Sequence, residues 1–386
     1  MQLKIDTNKQ YAVALEGGGA KGAYEIGVWR ALKEAGIEFS AISGTSVGAL
    51  NGALMVMGNL EKAETLWQNI TFSQVMDVND EEMRQLFSHE IGANLTTFAK
   101  RAVDLIRNRG FDISPLRSFI SDVMDADAII HSDTDFYIIT YSVTDRKSLE
   151  LRARDLAPEQ LCDMLLASAY LPAFKSEKLG GKRYTDGGVT DAVPIHALTS
   201  NGYRDIIVVR MYGFGLEKRF RMPKNTRLTT IAPTRDLGNV LNFDAELSKF
   251  NLQLGYFDAQ RTLYGLFGTR YYIDRTWDED RAYALLCSYA RLYLDSIRFE
   301  CPLKELNEKW LPRLGRELKA QQDYYSLLIA CMEQAAEILK IPEFEIMTDA
   351  EFLDRILSAL QEKSLPAAEV IAEFAPKKRS LLNIIR

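Results

Sequence analysis

The chain opens with two apolar runs, each followed closely by glycine. Residues 11–15 (YAVAL) end in Glu16 and three glycines, and from residue 23 to 35 apolar positions recur at helical spacing. This predicts a strand, a tight loop and a helix. Gly36 stops that helix, residues 37–42 suit a second short strand, and residues 47–57 suit a second helix. Two successive strand-to-helix turns imply a parallel sheet. From about residue 61 to 124 the pattern is mostly helical, with Ser114 and Pro115 offering an N-cap and a first-turn proline, and is expected to cap the sheet.

Residues 136–143 (FYIITYSV) and 148–151 are strand-like and joined by a polar stretch, which predicts a hairpin. Residues 157–169 read as a helix, 182–185 as a strand leading into Asp186-Gly187-Gly188, and 205–211 (DIIVVRM) as a buried strand. Past Thr276 the pattern is almost wholly helical, over residues 281–299, 303–339 with Pro312 as the point where it would break, and 349–363. The expected organisation is an α/β domain over residues 1–276, with a helical cap around 61–124, and a helical C-terminal region over 277–386.

Residues 39–60 carry no charge over about the length of a membrane span. Gly44, Gly48 and Gly52, with Ser43, Thr45, Ser46 and Asn51, suit a turn feeding a buried helix better than a lipid-facing one. With 47% apolar and 26% charged residues the 386-residue chain reads as an ordinary folded protein, and a net charge of −6 argues against nucleic acid as a main partner. Cys162, Cys287, Cys301 and Cys331 show no CxxC spacing, so no metal site is expected, and the polar opening residues show no export signal, which points to a cytoplasmic protein.

Three motifs carry candidate chemistry. Gly17-Gly18-Gly19-Ala20-Lys21-Gly22 lies between a strand and a helix, where backbone amides and the helix N-terminus can hold a phosphate or the oxyanion of a tetrahedral intermediate. Gly17, Gly19 and Gly22 also satisfy GxGxxG, with Glu38 at a tolerable distance for a ribose-binding acid, so a dinucleotide-binding oxidoreductase is a competing reading. Gly44-Thr45-Ser46-Val47-Gly48 is a GxSxG after the second strand, as a nucleophile elbow requires; alone, Ser46 would read as a helix N-cap.

Ser46 needs a base, and the three histidines, His89, His131 and His196, lack the glycine-rich surroundings of an active-site loop. His196 reads as structural. Asp186 is the leading candidate: it ends a strand, and Gly187 and Gly188 permit close approach to a neighbouring strand end, where a buried carboxylate gains proton affinity.

Glycine loop, serine elbow and Asp-Gly-Gly in this order resemble the patatin-like phospholipase family, in which GGGxKG or GGGxRG, GxSxG and DGG or DGA follow one another. The likeness covers roughly the first 210 residues. It implies a three-layer α/β/α fold with a mostly parallel sheet, a Ser46–Asp186 dyad without histidine, and an oxyanion hole from amides near Gly17, Gly18 and Gly19. It also implies fatty-acyl esters, phospholipids among them, as substrates, with no metal or organic cofactor. Lys21 matches the family's basic position, while residues 167–174 (ASAYLPAF) and 191–194 (DAVP) look like its packing segments. The helical region past Thr276 lies outside that core and leaves open a regulated or inactive effector. Contact with lipid would have to be peripheral, and two basic stretches could serve it: residues 218–235, and Lys377, Lys378 and Arg379 with the apolar residues after them.

Overall fold

The computed structural model describes residues 1–88, 110–171, 173–175 and 177–376, and His89 and the basic stretch beginning at Lys377 lie outside them. The chain divides into two compact units, Ile5–Thr262, and Met1–Lys4 together with the chain from Leu263 onward.

The first unit is built on seven strands: β1 (Gln10–Leu15), β2 (Glu38–Thr45), β3 (Asp135–Ser142), β4 (Lys147–Arg152), β5 (Tyr184–Asp186), β6 (Asp205–Val209) and β7 (Arg227–Ile231). Their order is β4-β3-β2-β1-β6-β7, with β5 also on β3. The five strands from β3 to β7 in that order pair in parallel, whereas β4 and β5 run antiparallel to β3. The expected hairpin is β3–β4.

Helices flank both faces. One face of the sheet, bearing Ala12, Ala14, Ala41 and Ile139, packs on Val193, Ala197 and Leu198. On the other face lies α2 (Val47–Met57), whose Gly52 comes so near that an added Cβ would sit 2.7 Å from Phe136 Cε2 and 3.2 Å from Ile42 Cγ2. This gives the α/β/α layering that two buried strand faces demand. The first helix, α1 (Ala23–Glu34), follows β1 through the glycine loop.

Two elements of this unit do not show in the periodicity. β7 lies within the basic stretch 218–235, where its edge position leaves Arg227, Leu228 and Thr230 exposed. Helix Ala245–Tyr264 buries Ser248, Asn251, Asp258 and Gln260, which blurs any apolar stripe. Two of these side chains donate to main-chain carbonyls, Ser248 Oγ to that of Trp67 at 2.6 Å and Asn251 Nδ2 to that of Leu237 at 3.0 Å.

The second unit is mostly helical, with Glu279–Ser296, Tyr324–Leu339, Asp349–Glu362 and Ala367–Phe374 around a core that includes Trp310, Tyr325 and Phe352. It also holds a short parallel pair, β8 (Tyr272–Asp274) with β9 (Ile346–Thr348), which was not expected. The predicted break near Pro312 is spread out. The helix widens over Leu306–Trp310 ahead of the proline, resumes over Leu311–Glu317, and restarts at Tyr324 under an Asp323 cap. A proline lacks the N–H that an unwidened turn would use. Two buried carboxylates organise the loops here. Glu333 accepts from the amides of Thr269, Arg270 and Tyr271, each at 2.8 Å, and Asp349 from those of Thr276 and Trp277, both at 2.8 Å.

Candidate active site

The three motifs converge because of strand register. Along β3, Thr45 of β2 stands opposite Ile139, and Asp186 of β5 stands opposite the next residue, Thr140. The two strands approach from opposite directions, so the turns that leave them meet. Gly187 rests against the Ile139 carbonyl so closely that an added Cβ would lie 2.3 Å from its oxygen, and Thr45 Oγ1 donates to the Asp191 carbonyl at 2.8 Å. On the other side Leu15 pairs with Gly44, which brings the glycine loop beside the elbow. A Cβ on Gly17 would stand 3.2 Å from Ser46 Cβ.

Ser46 adopts φ 57°, ψ −127°, a conformation that costs a non-glycine residue on the order of 1–3 kcal/mol. The turn is held by its neighbours. A Cβ on Gly44 would lie 2.2 Å from the Gly48 carbonyl oxygen, and one on Gly48 would lie 2.6 Å from that of Leu15. The Ser46 amide donates to Ser168 Oγ at 2.9 Å, and Ser168 in turn donates to the Ile139 carbonyl at 2.6 Å. Ser168 was not singled out from the sequence, where it sits in a segment read as packing.

Asp186 is 5% exposed, as is Ser46. Its Oδ1 accepts from the Gly188 amide at 2.7 Å, while Oδ2 is buried without a hydrogen-bond partner. Burial pushes the carboxyl up to about 6, against the lowering pull of the nearby Ser46 hydroxyl and the Gly188 amide. No fully formed hydrogen bond joins the two side chains, a spacing common before substrate draws such groups together. Asp191 is a second buried carboxylate, pushed up to about 7 by burial while Lys218 pulls it down.

The glycine loop departs from expectation at one residue. The Gly17 amide donates to the Ala192 carbonyl at 3.0 Å and is therefore not available to an oxyanion. Ala20 and Lys21 donate to the carbonyls of Val240 and Gly18, which leaves the amides of Gly18 and Gly19 without acceptors among the described residues. Gly19 has φ 56° and packs where a Cβ would lie 2.2 Å from the Val240 carbonyl oxygen; at Gly22 one would lie 2.5 Å from Val47 Cγ2. Lys21 directs its ammonium to the carbonyls of Tyr212 at 3.0 Å and Met211 at 3.4 Å.

Behind the loop, Asn51 Nδ2 donates to the Gly22 carbonyl at 2.9 Å and to Glu25 Oε2 at 2.8 Å, and Trp67 Nε1 donates to Asn51 Oδ1 at 2.9 Å. Burial drives the Glu25 carboxyl well above the usual carboxylate range, against the lowering pull of the Asn51 amide.

An apolar cleft of about 670 Å³, its open mouth included, is lined by Ser46, Gly19, Leu50, Leu54, Trp67 and Phe243 among others. His131 and His196 stand apart from it. Nδ1 of His131 contacts the Asp127 carbonyl at 2.8 Å and that of His196 contacts Glu150 at 3.0 Å. Glu38 does not meet the glycine loop either. It opens β2, opposite Gln10, so the length of the strand, roughly 20 Å, separates it from the turn that a ribose-binding acid would have to serve. The dinucleotide reading fails on that separation. Among the described residues no group of three His, Cys, Asp or Glu is arranged to hold a metal ion, and no helix is long and apolar enough to cross a membrane.

Residues 13–199 match the family model described as patatin-like phospholipase. Patatin-like phospholipase domain-containing protein 7 of Rattus norvegicus is 24% identical over 208 residues, covering 53% of this chain and 14% of the rat protein. Lysophospholipase NTE1 of Cryptococcus neoformans is 27% identical over 209 residues, covering 52% of this chain and 11% of that protein. The chain thus spans a small part of the length of these relatives. Among solved structures, VipD from Legionella pneumophila is similar with a TM-score of 0.43 at 12% identity, over 97% of this chain and 90% of VipD.

Proposed function

Through residues 13–199 the chain belongs to the patatin-like phospholipase family of lipolytic hydrolases, and on that premise we propose that it cleaves fatty-acyl esters of phospholipids or lysophospholipids by a Ser46–Asp186 dyad. The observation that carries this reading is Ser46 at φ 57° in an apolar cleft, with the unpartnered Oδ2 of a buried carboxylate at the adjoining strand end. In the proposed reaction Ser46 Oγ attacks the ester carbonyl carbon while Asp186 takes its proton. The amides of Gly18 and Gly19 receive the oxyanion, and Gly17 keeps the loop close to the serine. Collapse expels the alcohol, which leaves with the proton held by Asp186. Water then gives its proton to Asp186 as it attacks the acyl-enzyme, and the fatty acid departs as Ser46 is reprotonated. The cleft suits an acyl chain, since its lining offers almost no polar partner.

Fluorophosphonate labelling tests the nucleophile: the wild type should be labelled and Ser46→Ala should not, and equal labelling of both would refute the assignment. A second expectation concerns pH. Asp186 acts as a base only when ionised and titrates at about 6, so kcat/KM should rise as pH increases through about 6 and level off above about 7. A profile flat across that interval would remove Asp186 as the base.

A further inference from the structure

After β6 the chain passes over the glycine loop in a segment that is tied down on its inner side. The Glu16 carboxylate accepts from Arg210 Nε at 2.9 Å and from the amides of Met211, Tyr212 and Gly213 at 2.6, 3.1 and 3.2 Å. Lys21 holds the carbonyls of Met211 and Tyr212 from below. Gly213 lies so near the loop that a Cβ there would stand 1.9 Å from the Gly17 carbonyl oxygen. The outer side is different in character. Tyr212, Phe214 and Leu216 are 59%, 82% and 66% exposed, and the anchoring beneath denies them a retreat into the core.

The charged residues that follow are mostly basic, with Glu217 the one acid up to Lys224. Glu217 shares Arg210 with Glu16, and Lys218 pairs with Glu150. Arg219, Arg221 and Lys224 are exposed, and among the described residues none of the three has an ion-pair partner. Apolar tips beside free cations match the two layers of an anionic bilayer surface, acyl chains below and phosphate above.

We infer that residues 212–224 form an interfacial docking loop that seats this chain on an anionic bilayer, next to the glycine loop of the catalytic site. The inference deepens the lipolytic reading and rests on it for its purpose, but its binding test stands independently of turnover. Ser46→Ala protein spanning residues 1–386 is sedimented with phosphatidylserine-containing vesicles and with phosphatidylcholine vesicles, at low and high salt. The protein should pellet with the anionic vesicles at low salt, and high salt should release it. Adding Arg219→Gln, Arg221→Gln and Lys224→Gln should weaken that partitioning about 10²-fold. Adding Phe214→Ser and Leu216→Ser instead should weaken it about tenfold or more.

Two results would overturn the loop assignment: undiminished partitioning of both variants, or binding lost only on Lys377→Gln, Lys378→Gln and Arg379→Gln. A parent protein that ignores anionic vesicles would overturn it as well. With Ser46 restored, Phe214→Ser/Leu216→Ser should cleave a water-soluble short-chain ester at the wild-type rate and vesicle lipid more slowly. A wild type that binds vesicles yet cleaves neither ester would sink the hydrolase reading and leave the docking loop standing.

Discussion

Asp186→Asn is expected to lower kcat about 10⁴-fold while the protein remains folded. The amide keeps an oxygen to accept the Gly188 amide, but it cannot take the serine proton, and no histidine contacts Ser46 or Asp186 among the described residues to substitute for it. The same variant should gain stability at neutral pH. In the folded wild type the carboxyl titrates at about 6, above its value near 4 in an unfolded chain, so the folded state holds that proton more tightly. Wild-type stability from this group is therefore fully present below about pH 4 and is lost as pH rises through about 6. An amide has no proton to lose, and the variant should melt higher than wild type at neutral pH, by up to about 3 kcal/mol, with the difference closing in acid. Turnover measured together with melting curves at both pH values checks this. Lost activity with lowered stability at neutral pH would mean that Asp186 is a packing residue.

The second large effect concerns the fold at the elbow. Gly44→Ala and Gly48→Ala each force a methyl to within 2.2 and 2.6 Å of a main-chain carbonyl oxygen, and neither oxygen can swing away as the end of a side chain would. Each should cost about 3 kcal/mol or more, a fall in Tm of roughly 6–12 °C for a unit of this size. Gly58 supplies the control. Its φ is 74° with nothing within 4 Å of an added Cβ, so Gly58→Ala should cost only about 1 kcal/mol through backbone conformation. Equal Tm values for the three variants would show that crowding at the elbow is not what requires glycine there.

These glycines also explain why so much of the site could be read in advance. Gly44, Gly48, Gly187 and Gly188 answer to crowding among residues near in sequence or at adjoining strand ends, and such requirements leave a local mark. The order strand, glycine loop, helix, strand, elbow is likewise written in short apolar runs. What escaped depends on partners far along the chain. Nothing around Gly17 announces that its amide is taken by Ala192. Ser168 steadies the Ser46 amide from the far end of a helix whose apolar pattern gives no hint of the contact. Nothing beside the three glycines marks Glu16, yet a carboxylate 2% exposed must find donors, and it finds them beyond β6. Helix Ala245–Tyr264 leaves no clear periodic mark because its inner face carries amide and carboxylate groups among its apolar residues.

The backbone at Ser46 lies where glycine would be at ease and any side chain is under tension. On the proposed reaction, it is the usefulness of the hydroxyl that keeps serine there against that preference. Should a descendant of this sequence cease to need catalysis, drift toward glycine would relax the turn without disturbing its surroundings. The letter at that one position in a related protein is then a simple indicator of whether selection still maintains the chemistry.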